Sequence, residues 1–260
     1  MSSDKIIARQ DGAVGWLVFN NPERRNAVSL DMWQAIPEVL SRFESDPEIR
    51  AIVLAGAGDK AFVSGADISQ FESQRSSAEA VQHYEQVGEA AQASLRECGK
   101  PVIAMIRGYC LGGGMNIANL CDLRIAAEDA RFGIPAAKMG LGYRASSMQN
   151  LVDVVGAAFA REIMLTARQF TAAEAFQMGL VHRVVPVEQL ATVTREYCDM
   201  LAANAPLTMR AAKRIIREVS RADYDAAACE TLVKECFASE DYAEGRKAFM
   251  EKRKPVFKGR

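Results

Sequence analysis

The stretch YCLGGGMNIANLCDLRIA, residues 109 to 126, sets three consecutive glycines ahead of an apolar run and places Asn116 two residues after the last of them. Glycines at such a point leave backbone N–H groups bare and let a ligand approach the main chain closely. If the apolar run is a helix, its first N–H groups also favour negative charge. The loop lacks the Lys-Ser/Thr of a phosphate-cradling loop and does not follow the GxGxxG spacing, so mononucleotide hydrolysis and dinucleotide binding fit poorly. A second candidate is KAFVSGADISQF, residues 60 to 71, where a strand-like run meets Ser64-Gly65-Ala66-Asp67. The chain is expected to turn at Gly65 and to present the Ala66 amide, with Asp67 near a helix N-cap.

The other polar residues offer less. His83 and His182 are the chain's two histidines, too few for a zinc cluster, and are expected on a solvent-facing helix surface and in a structural strand. Asp122, just past the apolar run, reads as a cap or turn residue. The six cysteines show no CxxC pair and sit mostly among apolar neighbours, the pattern of reduced, packed thiols. With 32 Lys and Arg against 33 Asp and Glu, the net charge of -1 creates no long-range field to gather nucleic acid or anionic lipid. The amino end has no apolar core of the length a secretory signal needs, and no run of about 18 apolar residues follows. These features lead to the expectation of a soluble, cytoplasmic protein with no nucleic-acid or membrane partner.

What must position the two loops is a set of short β-branched runs over residues 14–20, 49–56, 100–108, 123–129 and 180–187, each of strand length. Between them, 29–45 and 77–97 have helical spacing, with Met32, Ile36, Leu40 and Phe43 on one face of the first. Alternation of this kind predicts an α/β architecture with buried strands. Beyond residue 187 the strand signals stop. Leu190, Val193, Tyr197 and Leu201 share one stripe; Leu207, Ala211, Ile215 and Val219 share the next, opened by Pro206; a third helix is predicted from about 224 to 250. A helical tail that cannot bury both faces on its own domain invites oligomerisation.

Taken in order, SGADI, GYCLGGGMNIANLCDLRIA, FGIPAAKMGL and TARQFTAAEAFQMGLVHRVVP resemble the crotonase (enoyl-CoA hydratase/isomerase) superfamily, as do NNPERRNAVSLDM near the start and SEDYAEGRKAFMEKRKPVF near the end. The resemblance implies a crotonase-like ββα spiral core over about residues 1–200 and a C-terminal helical oligomerisation extension over 201–260. It implies an acyl-CoA substrate whose thioester carbonyl sits in an oxyanion hole formed by the amides of Ala66 and Gly113, with no cofactor beyond the coenzyme A of the substrate. By the same resemblance Ala66, Asp67, Ile68 and Ser69 border the CoA, Arg25 and Ala27 lie beside it, and Phe249 and Lys252 hold the nucleotide. The implied assembly is a homotrimer, or a hexamer built as a dimer of trimers.

Two expected groups are missing. Hydratases of this family use two glutamates as acid and base; the corresponding positions hold Asn116 and, after the proline of FGIP, Ala136, neither of which titrates near neutral pH. Tyr143 and Arg144 of MGLGYRASS occupy the loop that lines the acyl end in this family. Tyr143 resembles a tyrosine of the decarboxylase branch, which acts on malonyl-type thioesters, although that branch carries histidine where this chain has Ala66. Two readings of each residue are open at this point. Tyr143 is a proton donor or a packed ring with its hydroxyl on a loop carbonyl; Arg144 orients a substrate carboxylate or forms a surface ion pair; Asn116 meets a thioester or satisfies backbone groups. The functional alternatives are an enolate-forming enzyme and a non-catalytic acyl-CoA-binding or assembly protein.

Overall fold

In the computed structural model, residues 4–67 and 78–260 are described. Among the described residues ten strands form two sheets: β1 (Ile6–Asp11), β2 (Val14–Phe19), β3 (Ala51–Gly56), β5 (Val102–Ile106), β7 (Leu123–Ala127) and β10 (Arg183–Val185) build a six-stranded sheet in that order. The smaller sheet has the order β4 (Ala61–Val63), β6 (Tyr109–Leu111), β8 (Arg131–Gly133) and β9 (Phe170–Thr171). Strands β2, β3, β5, β7 and β10 run parallel, and β1 joins β2 as an antiparallel edge. Each time the chain leaves β3, β5 or β7 it enters the smaller sheet through β4, β6 or β8, and the first two of these returns pass through a helix. This is the ββα spiral.

The helices are α1 (Leu30–Ser45), α2 (Ala78–Glu97), α3 (Gly113–Leu120), α4 (Ala145–Thr166), α5 (Ala172–Gln177), α6 (Leu190–Ala202), α7 (Pro206–Val219), α8 (Ala226–Ala238) and α9 (Glu240–Met250). Met32, Ile36, Leu40 and Phe43 of α1 are all buried, as their spacing requires. Alternation along the parallel strands sends Ile52, Leu54, Val102 and Ala104 into a core shared with α1 and α2, and Val53, Ala55 and Ile103 into a second core closed by Leu190 and Cys198 of α6. Both faces of β2, β3, β5 and β7 are therefore covered, which is why these strands read as continuous apolar runs.

The tail departs from the sequence expectation at one point. The single helix expected from 224 to 250 is two helices, because Ser239 adopts extended backbone and its side chain accepts from the Tyr242 N–H, capping α9. Beyond α9 the chain is tied back to that helix: buried Asp241 accepts from the Lys258 and Gly259 amides at 2.6 and 2.9 Å, and Arg253 pairs with Glu244. Between α7, α8, α9 and Phe257 lies an apolar cavity of about 850 Å³, lined in part by Ala211, Ile215, Val233, Phe237, Phe249 and Met250. Among the described residues no helix is long and apolar enough to cross a membrane.

The seat of α3 matters most for the loop it carries. Buried Arg124, on β7, donates from Nε to the Leu180 carbonyl at 2.6 Å and from one terminal nitrogen to the Ala118 and Cys121 carbonyls at 3.2 and 2.7 Å. The last two lie at the C-terminal end of α3, where a cation also meets the negative end of the helix dipole. Arg124→Met is expected to cost about 3 kcal/mol: the buried Leu180 and Cys121 carbonyls lose the guanidinium donor while that of Ala118 keeps the Cys121 N–H, and removal of a buried charge offsets part of the loss. The check is a urea midpoint that falls at unchanged slope.

Candidate active site

The two amides meet where the small sheet hands over to α3. Val28 and Ala66 form a parallel bridge in which the Val28 N–H donates to the Gly65 carbonyl at 2.8 Å and the Asp67 N–H to the Val28 carbonyl at 3.0 Å. The bridge uses the groups on either side of Ala66 and leaves its own N–H without a partner among the described residues. Gly113 opens α3, so its N–H has no intrahelical acceptor either. A Cβ built on Gly113 would lie 3.8 Å from the Ala66 nitrogen, and one on Gly112 would lie 3.9 Å from Gly65 Cα. The glycine at 113 thus opens the space directly over the Ala66 amide. Gly114 serves packing instead. A Cβ there would sit 2.1 Å from the Val63 carbonyl oxygen, so its lack of a side chain is what lets α3 lie on β4.

The loop of residues 21–28 borders this point. Ser64 N–H donates to the Arg25 carbonyl at 3.1 Å, and Arg25 stacks 5.0 Å from the Tyr109 ring at the start of β6. Arg24 lies 4.0 Å from buried Asp67, and Ala27 is buried. Arg25 and Asn26 are both left-handed, with φ of 52° and 57°. Asn26, fully buried, holds that turn: its Oδ1 accepts from Asn21 N–H at 3.0 Å and its Nδ2 donates to the Ala57 and Ala61 carbonyls at 2.9 and 2.7 Å. No motif marked Asn26 in the sequence, although asparagine is the residue type that best tolerates this conformation. Ile68 and Ser69 lie outside the described residues.

Asn116 does not satisfy backbone with its side chain. It is buried on α3, its Nδ2 donates to Gln92 Oε1 of α2 at 2.7 Å, and its Oδ1 accepts from Asn150 Nδ2 of α4 at 3.2 Å. Neither Gln92 nor Asn150 was legible as a site residue, since contacts between side chains on separate helices leave no local pattern. Ala136 is buried at the start of a short 3-10 turn. The Tyr143 hydroxyl donates to the Gly112 carbonyl at 3.4 Å, so it does meet a loop carbonyl, and that loop is the glycine loop itself. Burial pushes its phenol up to about 12. At neutral pH it is a neutral donor beside the Gly113 amide, not a base. Arg144 is exposed and forms an ion pair with Glu85 of α2. Phe249 and Lys252 belong to α9 and the turn after it; Phe249 is 86% exposed.

The remaining candidates are structural. His83 is exposed on α2; His182 accepts at Nδ1 from the Arg124 N–H at 3.1 Å, just before β10. Asp122 accepts from the Val102 N–H and pairs with Lys213 of α7 at 2.7 Å, tying the tail to the core. All six cysteines are free, and burial pushes the Cys98 and Cys121 thiols up to about 11 and about 12, which leaves them protonated and unreactive.

Comparison with known proteins identifies the family. The family model for enoyl-CoA hydratase/isomerase matches residues 9–260. The short-chain-enoyl-CoA hydratase of Clostridium acetobutylicum is 34% identical over 256 residues, covering 98% of this chain and 97% of that protein. Among solved structures, an enoyl-CoA hydratase/carnithine racemase from Magnetospirillum magneticum superposes with a TM-score of 0.93 at 36% identity, covering 100% of this chain and 97% of that one. An enoyl-CoA hydratase/isomerase family protein from Hyphomonas neptunium gives 0.94 at 36% identity, with 98% of each chain covered. With a match over nearly its whole length, the chain belongs to the enoyl-CoA hydratase/isomerase family of the crotonase superfamily.

Proposed function

We propose that the chain processes an acyl-CoA thioester whose carbonyl oxygen accepts from the Ala66 and Gly113 amides, so that charge moving onto that oxygen as an enolate forms is met by donors already in place. The observation that supports this most directly is the pair of N–H groups without a partner among the described residues, with a Cβ built on Gly113 lying 3.8 Å from the Ala66 nitrogen. Arg25, Ala27 and Asp67 border the CoA on this reading, together with Ile68 and Ser69, and Phe249 and Lys252 serve the nucleotide. Coenzyme A enters only as part of the substrate.

The reaction favoured is one that needs no carboxylate pair. In decarboxylation of a malonyl-type thioester, the bond between the α-carbon and the carboxylate breaks. Its electron pair passes into the enolate, CO2 leaves, and the α-carbon takes a proton. Tyr143, neutral and beside the oxyanion hole, supplies that proton and recovers one from solvent. Arg144 would exchange Glu85 for the substrate carboxylate. Incubation with methylmalonyl-CoA and with crotonyl-CoA, followed by chromatography, tests the assignment: CO2 loss from the first is expected, and rapid hydration of the second would overturn it. Tyr143→Phe should lower turnover about 100-fold while leaving thioester affinity within about twofold. Because burial holds the phenol near 12 and positions 116 and 136 do not titrate, kcat should be flat from about pH 6 to about pH 9. An acidic limb in that range would place a carboxylate in the reaction. Asn116 and Ala136 also favour an alternative, a non-catalytic acyl-CoA binder, which predicts thioester binding with no turnover on any substrate.

The apolar cavity of α7 to α9, with Phe237, Phe249 and Met250 exposed at its rim, supports assembly into a homotrimer or hexamer through the tail. Light scattering should give three or six chains per particle. A monomer at micromolar concentration would remove this part of the reading.

A further inference from the structure

The peptide unit that carries the Ala66 N–H also carries the Gly65 carbonyl, and in a planar trans unit the two point in opposite directions. The Gly65 carbonyl accepts from the Val28 N–H at 2.8 Å, so the Ala66 N–H points away from Val28. Its direction is set from behind, by the position of one N–H group. That group belongs in turn to the unit joining Ala27 and Val28, whose carbonyl accepts from Asn21 Nδ2 at 3.0 Å. Donor and acceptor alternate without reversal: the Asn21 amide holds the Ala27 carbonyl, the Val28 N–H holds the Gly65 carbonyl, and the Ala66 N–H is the open end among the described residues. A carbonyl that accepts a hydrogen bond makes the N–H of its own unit a stronger donor, by about 10–30% per bond.

Asn21 stands at the N-cap of the short 3-10 turn Pro22–Arg24, where a side-chain oxygen ordinarily accepts from the turn's own N–H groups. It makes no such bond and sends its nitrogen forward to Ala27 instead. Its backbone is clamped to buried Asn26, whose Oδ1 accepts from the Asn21 N–H at 3.0 Å and whose own N–H donates to the Asn21 carbonyl at 2.8 Å. The other donor is supported differently. The Gly112 carbonyl, in one unit with the Gly113 N–H, accepts from the Asn116 N–H of α3 at 3.1 Å and from the Tyr143 hydroxyl at 3.4 Å. Gly113 is thus backed by a helix and Ala66 by a loop. Resting on the thioester reading above, we propose that Asn21 is a positioning residue for the Ala66 donor, orienting and polarising it through two successive peptide units. Its nitrogen supplies the first hydrogen bond of a file whose last is accepted by the thioester oxygen. Without that nitrogen the Ala27–Val28 unit is free to tilt, and the pull on the oxygen weakens from the Ala66 side while the Gly113 donor keeps its own support.

The test is infrared difference spectroscopy of butyryl-CoA labelled with carbon-13 at the thioester carbonyl and bound to the full chain, for the wild type, Asn21→Ala and Asn21→Leu. Thr194→Val serves as a control, since it removes a buried hydrogen bond to the Leu190 carbonyl on α6, across the large sheet. Hydrogen bonding lowers a carbonyl stretch, so the wild-type band is expected below that of free butyryl-CoA. Either Asn21 substitution should return the band toward the free position by about 10–30% of that displacement, while Thr194→Val leaves it in place. Leucine keeps the volume of asparagine, so an effect shared by both variants belongs to the lost nitrogen. Each variant is first checked by circular dichroism, and either alone decides the matter. A band that stays at the wild-type position in the Asn21 variants, or that moves as far in Thr194→Val, would overturn the proposal. A wild-type band at the free position with butyryl-CoA bound would instead overturn the oxyanion reading beneath it, and absence of binding would overturn the coenzyme A reading.

Discussion

Gly113→Ala should fold normally and lose about 10²- to 10³-fold in turnover. The added methyl would stand 3.8 Å from the Ala66 nitrogen, ordinary contact for a folded chain, so nothing in the protein must move. The same methyl occupies the space an oxygen needs if it is to accept from both amides. Displacing the oxygen from one donor costs roughly 3 to 4 kcal/mol of barrier in acyl-transfer sites. Thermal melting within about 2 °C of the wild type, together with the lost turnover, would localise the effect to the site. Retained turnover would show that the thioester carbonyl does not lie between Ala66 and Gly113.

Gly114→Ala, one residue on, should do the reverse. Its methyl meets the Val63 carbonyl oxygen at 2.1 Å and Val63 Cβ at 2.7 Å, and the first is backbone inside the small sheet that cannot swing away. The helix must lift off β4, and a loss of about 3 to 5 kcal/mol is expected, about 10 °C in melting temperature for a chain of this size. Neighbouring glycines in one triplet thus separate cleanly, one serving the ligand and one serving the packing. Equal stability of the two variants would contradict that division.

The sequence carried β2, β3, β5 and β7 of the large sheet well because these strands are buried on both faces and read as apolar runs, and α1 because Met32, Ile36, Leu40 and Phe43 recur at helical spacing. It did not carry β1, whose IIARQD lies mostly exposed, nor β6, β8 and β9, since two or three residues are too short to show a period. The break at Ser239 was readable, as Ser followed by Glu and Asp is a helix-start signature, but the apolar content on both sides masked it. Within the site, the backbone donors were legible because glycine announces them. The partners of Asn116 and of Arg144 were not. Gln92 is 24 residues from Asn116 in sequence and Asn150 is 34, and such pairings exist only once α2, α3 and α4 have packed.

The Arg124 clasp on the far end of α3 separates two kinds of electrostatics in this protein. Molar salt shortens the reach of a charge to about 3 Å in solvent, enough to dissolve the Arg144–Glu85 contact at the surface, yet ions do not penetrate to a guanidinium enclosed by three carbonyls. The proposed oxyanion donors should therefore keep their alignment in brine, and any ionic-strength dependence of turnover would report on the rim of the pocket and the coenzyme's phosphates, not on the floor.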